Sequence, residues 1–162
     1  MTSLHIEPAT PADVPMILQL IRELAEFERL LDEVTATEAQ LHEHLFGPKP
    51  KAEVIMGRLP GGEVAGFALY FHNFSTFLAK PGIYLEDLYV RQQYRGRGYG
   101  EQLLRRLAGI AIERNCGRLE WSVLDWNQRA IDFYKSLGAV PMNEWTIYRV
   151  TGSALQKLGN GG

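Results

Sequence analysis

The chain has 162 residues, 46% of them hydrophobic, with a formal net charge of −2, enough apolar content for one domain to bury its own core. That charge excludes bulk electrostatic attraction to nucleic acid, which needs a surplus of Lys and Arg. The single cysteine, Cys116, excludes an intramolecular disulfide and has no metal-ligand spacing around it. No run of about 18 apolar residues occurs, and the first residues lack the basic and apolar stretches of an export signal. A soluble, cytoplasmic protein that binds neither nucleic acid nor membrane is therefore expected.

In chain order, Leu4 to Glu7 alternates weakly like a strand, and "TPAD" then supplies a helix start: Thr10 as N-cap, Pro11 at the first helical position and Asp13 behind it. Val14, Ile17, Leu18, Ile21 and Leu24 recur at helical spacing, predicting an amphipathic helix to about Phe27. Thr37 with Gln40 forms a second capping box, and that helix stops at Gly47 and Pro48. From Ala52 the period changes to two: "AEVIMGR", the turn "LPGGE" and "VAGFALYF" predict a hairpin, and "GIYLEDLYV" a third sheet segment. "GEQLLRRLAGIAIERNCG" is a helix closed by Gly117, "RLEWSVL" a strand, "NQRAIDFYKSLG" a helix between Asn127 and Gly138, and "WTIYRV" a last strand. The order β, αα, ββ, β, α, β, α, β belongs to one α/β domain over residues 1–162, with a frayed tail at 156–162.

Between the third sheet segment and its helix, Gly96, Gly98 and Gly100 alternate beside Arg95 and Arg97. A strand, a glycine turn and a helix in succession leave the first amides of the helix pointing into the turn, where anions are stabilised. Glycine permits positive φ there and lets the backbone approach a phosphate. Glu101 and Gln102 follow Gly100 where a Walker loop needs Lys and Ser or Thr, which excludes nucleotide triphosphate hydrolysis. A dinucleotide fingerprint fails as well: Glu101 and Leu103 occupy its third small position, and Glu120 sits at the start of its strand rather than the end.

Arg95-Gly96-Arg97-Gly98-Tyr99-Gly100 resembles the Arg/Gln-x-x-Gly-x-Gly/Ala signature of the GNAT acetyltransferases. "IEPATPADVPMILQLIRELAEFE", "GFALYFHNFSTF", "YLEDLYV", "YRGRGYG" and "WNQRAIDFYKSLGA" resemble, in order, the spermidine/spermine and thialysine N-acetyltransferase branch. The resemblance implies a central mixed, mostly antiparallel twisted sheet flanked by helices. In that fold two parallel strands splay to form the acetyl-CoA cleft, one of them bulged. It also implies acetyl-CoA as cosubstrate. His42 and His44 lie two apart on a helix and cannot share a face, and His5 and His72 are isolated, so no metal is expected. The diphosphate would lie on Arg95, Gly96, Arg97, Gly98, Tyr99, Gly100 and Glu101, the pantetheine arm and thioester on the backbone of Leu88, Tyr89 and Val90, and further cofactor contacts at Asn127 and Ala130.

Acetyl transfer to an amine needs an uncharged nitrogen, and an alkyl ammonium with a pKa of about 10.4 is almost wholly protonated at neutral pH. A base must take that proton. Glu86 and Asp87 are adjacent acids in an apolar strand, and in a regular strand one of them faces the interior. A buried carboxylate paired with arginine, or a hydrated edge strand, would explain them structurally; the resemblance makes Glu86 the residue that receives the amine and draws off its proton, with Asp87 beside it. Tyr134 has helical spacing from Ile131 and Leu137, the pattern of a core residue, and by resemblance it is the acid facing the departing thiolate. A phenol at about 10 facing a thiol at about 8.5 makes that transfer uphill by about 2 kcal/mol, so its hydrogen bond stabilises charge as much as it moves a proton. Asn127 has sufficient structural reason as a helix cap.

Glu23, Glu26 and Glu28 with Asp32 and Glu33 make an acidic stretch along and beyond the first helix. Charge on a helix is usually only solvation, but by resemblance Phe27-Glu28 is the aromatic–acid pair that grips the distal ammonium. Phe27 stands where polyamine-acetylating relatives carry tyrosine. The expected activity is acetylation of a primary amine of a small diamine, polyamine or thialysine/lysine-like substrate. Protein or peptide N-acetylation and a non-catalytic acyl-CoA sensor are the alternatives. The resemblance further implies a homodimer, with "EWTIYRV" as the segment exchanged between subunits.

Overall fold

A computed structural model of the chain describes residues 3–161. The chain divides into two compact units, Met1–Leu124 and Asp125–Gly162.

The first unit is a five-stranded sheet in the order β1-β2-β3-β4-β5 with three helices. Its strands are β1 (His5–Pro8), β2 (Glu53–Arg58), β3 (Val64–Ser75), β4 (Lys80–Val90) and β5 (Leu119–Trp121). All neighbours are antiparallel except β4 and β5, which are joined through α3 (Tyr99–Glu113) as a parallel crossover. α1 (Val14–Phe27) begins after a short 3₁₀ turn at Pro11–Asp13, where the Thr10 amide donates to the Asp13 carboxylate at 2.9 Å. It stops where Arg29 takes φ of 62° and the Leu30 amide closes back on the Ala25 carbonyl at 2.8 Å. α2 (Glu38–Phe46) carries the predicted box: the Gln40 amide donates to the Thr37 hydroxyl at 3.2 Å, and the Thr37 amide to the Gln40 side chain at 3.0 Å.

Alternation in the strands decides which helix each face meets. Val54, Met56, Phe67 and Leu69 pack with Ile17, Leu20 and Leu24 of α1 and Leu45 of α2. The intervening Gly57 backs onto Leu103 of α3. Thus α1 and α2 cover one face of the sheet and α3 the other. Ile17, Leu20, Met56, Phe67, Leu103 and Leu107 are fully buried, each contributing about 1.5–3 kcal/mol of burial free energy.

The second unit holds α4 (Gln128–Ser136) and α5 (Gly152–Gly159). Asn127 caps α4, its side-chain oxygen accepting from the Ala130 amide at 3.3 Å. Two expectations are corrected here. Residues 145–150 form no strand in this chain; Trp145, Ile147 and Tyr148 are 77%, 76% and 92% exposed, so the β-like alternation has no sheet to join. Of the tail expected to fray, Gln156 to Gly159 are helical, and Gly162 lies outside the described residues. No helix among the described residues is long and apolar enough to cross a membrane.

Candidate active site

The site develops along β4. Its pairing with β5 covers only Ile83, Tyr84 and Leu85, while its pairing with β3 continues to Val90. Among the described residues β4 therefore has a strand on one side only from Glu86 to Val90, a parting of the two parallel strands. Where β5 still follows, Tyr84 and Ser122 join their hydroxyls at 2.7 Å.

The parting starts at a β-bulge. Leu69 pairs with Asp87 but Tyr70 with Leu85, so Glu86 is an extra residue on β4. The insertion reverses the alternation. Leu85, opposite Tyr70, shares the α3 face; Asp87 and Tyr89, opposite Leu69 and Phe67, face α1. Without the bulge Leu85 and Asp87 would share a face. The expectation of adjacent acids on opposite faces of a regular strand is replaced by Glu86 exposed on the bulge and Asp87 half-buried toward α1.

Glu28, just past the end of α1, completes a group of three carboxylates. Burial, then the charges of Glu86 and Glu28, push the Asp87 carboxyl up to about 6. Burial and the charge of Glu86 raise Glu28 as well. Glu28 and Glu86 stand 58 positions apart in the chain, and what acts on Glu28 and Asp87 is burial and the neighbouring carboxylates. Three acids held this way favour a cation among them. Asp87 has a raised proton affinity, which the sequence pattern does not reveal.

The glycine turn lies at the other end of this edge. Gly96 and Gly98 have φ of 79° and 80°, and Gly98 is the N-cap of α3. The first bond closing the helix runs from the Gln102 amide to the Gly98 carbonyl at 3.1 Å, so the amides of Tyr99, Gly100 and Glu101 precede it. A Cβ built at Gly96 or Gly98 meets nothing within 4 Å, which leaves space for an anion against the backbone. This chain's turn fits a diphosphate. Tyr99 can offer only its amide, because its side chain is buried. The Glu101 carboxylate is held by Arg105 at 2.7 Å. Arg97 is exposed, 5.8 Å from the Tyr94 ring.

Arg95 is placed differently from a simple phosphate ligand. Its Nε donates to the Val90 carbonyl at 2.9 Å, and its guanidinium lies 4.5 Å from the Phe27 ring and 5.4 Å from the Tyr89 ring. Among the acids of the first helix, Glu23 is engaged rather than merely solvated: it accepts from the Tyr89 hydroxyl and from Arg91. Glu26 is exposed. Glu120, which fails the dinucleotide fingerprint by its place at the start of its strand, accepts from Asn73 at 3.2 Å and pairs with Arg118 at 3.6 Å. Among the described residues no group of His, Cys, Asp or Glu is arranged to hold a metal.

The structure thus brings together Phe27, Glu28, Glu86, Asp87, Tyr89 and Arg95. Tyr134, Asn127 and Ala130 belong to the second unit, where no residue of α4 is buried and the Tyr134 ring lies 5.6 Å from that of Phe133.

Residues 16–139 match the Acetyltransferase (GNAT) family. The thialysine N-epsilon-acetyltransferase of Bos taurus is 40% identical, the alignment covering 98% of each chain. The L-ornithine N5-acetyltransferase of Arabidopsis thaliana is 35% identical over 95% of this chain and 87% of its own. Among solved structures, an integron cassette protein from the mobile metagenome of V. cholerae superposes with a TM-score of 0.82 at 32% identity, covering 99% of this chain and all of that one.

Proposed function

Since the chain belongs to the GNAT acetyltransferase family, we propose that it moves the acetyl group of acetyl-CoA to a primary amine of a small diamine, polyamine or thialysine/lysine-like substrate. The observation that carries the substrate class is the group of Glu28, Glu86 and Asp87, an anionic cluster at one end of the free edge of β4, with Phe27 next to Glu28 in the chain. A substrate with two ammonium groups matches more of that charge than a simple amine. Relatives named for thialysine and L-ornithine act on molecules of this kind.

In this reading the coenzyme supplies the activated acetyl group. Gly96 to Glu101 offer backbone amides to its diphosphate, with Arg95 and Arg97 adding charge, and the free edge at Leu88, Tyr89 and Val90 offers backbone donors to the arm and thioester oxygen. Asn127 and Ala130 add contacts from α4. Glu86 receives the amine at the bulge and draws off its proton, directly or through water. Asp87, at about 6, is a better proton acceptor than an ordinary carboxylate and shares that task, while Glu28 and Phe27 hold the distal ammonium. Tyr134 donates to the departing thiolate, and Tyr134→Phe is expected to lower kcat about 100-fold with little change in CoA affinity. A kcat within a few-fold of wild type would remove that role.

The family match crosses the boundary at Leu124, which supports reading residues 1–162 as one domain. The exposed apolar residues Val140, Met142, Trp145 and Ile147 support a homodimer in which the C-terminal segments exchange and pair as strands. Sedimentation is expected to give twice the chain mass at micromolar concentration. A single cysteine suits a cytoplasmic enzyme. The deciding experiment monitors free thiol from acetyl-CoA against diamines, thialysine, lysine and peptides. Diamines and thialysine are expected to release it fastest. Release with peptides alone would favour protein acetylation, and CoA binding with no release would favour a sensor.

A further inference from the structure

Glu23 is a half-buried acid with no part in the chemistry above, yet it is well bonded. It lies one turn before Phe27 on α1. Its Oε1 accepts from the Tyr89 hydroxyl at 3.2 Å and from Arg91 Nε at 3.2 Å, and its Oε2 from Arg91 Nη2 at 3.1 Å. The Arg91 and Glu23 side chains are 24% and 21% exposed, so solvent screens this two-pronged pair less than a surface bridge.

Arg91 is the first residue after β4, and its amide is tied to the Ala65 carbonyl at 2.8 Å. From it a 3₁₀ turn, Gln92–Tyr94, leads into Arg95 and the glycines. Arg95 then reaches back over Phe27 and Tyr89. The last turns of α1 are therefore fastened to the start of the anion-binding turn twice. One contact is ionic, Glu23 to Arg91; the other is a cation over a ring, Arg95 on Phe27. Tyr89 takes part in both. Immediately beyond Phe27 stands Glu28, one of the three carboxylates.

We infer that Glu23 is a positioning residue which, through Arg91 and Tyr89, fixes the amine-gripping end of α1 to the cofactor turn, so that occupancy of each site strengthens binding at the other. This rests on the reading that the turn holds CoA and the carboxylates hold the amine. Thermodynamic linkage requires the effect to be reciprocal.

Calorimetry with CoA, which cannot turn over, and 1,4-diaminobutane, titrated in both orders, reads the coupling. In the wild type each ligand is expected to tighten the other about 5- to 10-fold. Glu23→Gln and Arg91→Met are expected to bring that factor near 1 while CoA alone keeps its affinity within about threefold, and the double variant to lose no more than either single one, as for residues acting as a unit. Circular dichroism and thermal melts establish that the variants are folded. If either melts, Tyr89→Phe, which removes the hydroxyl bonded to Glu23 and to Arg95 but leaves the ring under Arg95, decides, with an expected two- to threefold drop in coupling. Independent binding in the wild type, or full coupling in the folded variants, would overturn the inference. An absence of thiol release from acetyl-CoA with every amine would instead strike the functional reading beneath it.

Discussion

The two ends of the free edge of β4 lie a few residues apart and solve opposite electrostatic problems. At the turn, Gly96 and Gly98 expose backbone amides beside Arg97, a place for an anion built from local geometry. At the bulge, Glu86, Asp87 and Glu28 gather negative charge from segments far apart in the chain, at a cost in desolvation that raises Asp87 to about 6. The anion site costs the fold little, because helix amides are unpaired there in any case. The carboxylate group does cost the fold, because burial and like charge both disfavour its ionised form.

The sharpest separation of the two ends is kinetic. Glu86→Gln is expected to lower kcat/KM for the amine about 1000-fold, at the upper range for loss of a general base with its charge, while CoA affinity by calorimetry stays within twofold. An equal loss of CoA binding would mean that the ends are not distinct. The wild-type profile of kcat/KM should rise with pH through about 6 and then level, as Asp87 ionises. In Asp87→Asn that inflection should be absent.

Stability gives the next largest effect, with the opposite sign to activity. Because the folded-state value of Asp87, about 6, lies above its ordinary 3.8, the folded chain binds that proton more tightly than the unfolded chain does. The charged carboxylate therefore destabilises the fold, increasingly as pH rises from about 4 through 6 and fully above it. Roughly two pH units correspond to about 3 kcal/mol at most. Asp87→Asn is expected to be more stable than the wild type by up to that amount at pH 7.5, with the gap closing below pH 4, as read by denaturant melts. A gap independent of pH would place Asp87 in water.

The two ends also differ in how far they could be read from sequence. Thr37 with Gln40, Asn127 and the turn at Gly96 and Gly98 are local: the residues that cap or bend the chain are neighbours of what they cap. Glu86 and Asp87 stood out as acids in an apolar strand, but their orientation follows from one extra residue relative to β3, and register belongs to two strands at once. Glu23 looked like one more solvated helix acid, since its partner Arg91 is 68 residues away. The segment at 145–150 alternates like a strand, yet alternation alone does not supply a neighbouring strand to pair with.

The smallest predicted effects test whether the turn is built by backbone conformation alone. Gly98 has φ of 80° and open space where a methyl group would stand, so Gly98→Ala meets no clash but carries the left-handed penalty of about 1–2 kcal/mol. A turn distorted by that amount should bind CoA roughly 10-fold more weakly. Gly100 has no positive φ, and a Cβ there would rest 3.8 Å from the Val90 side chain, an ordinary contact. The family signature accepts glycine or alanine at this position. Gly100→Ala is therefore expected to raise the melting temperature, since alanine in a helix gains up to about 1 kcal/mol over glycine, and to leave CoA affinity within about threefold. Were Gly100→Ala to weaken CoA as much as Gly98→Ala, close approach of the diphosphate at the helix start, rather than the left-handed turn, would set the affinity of this end of β4.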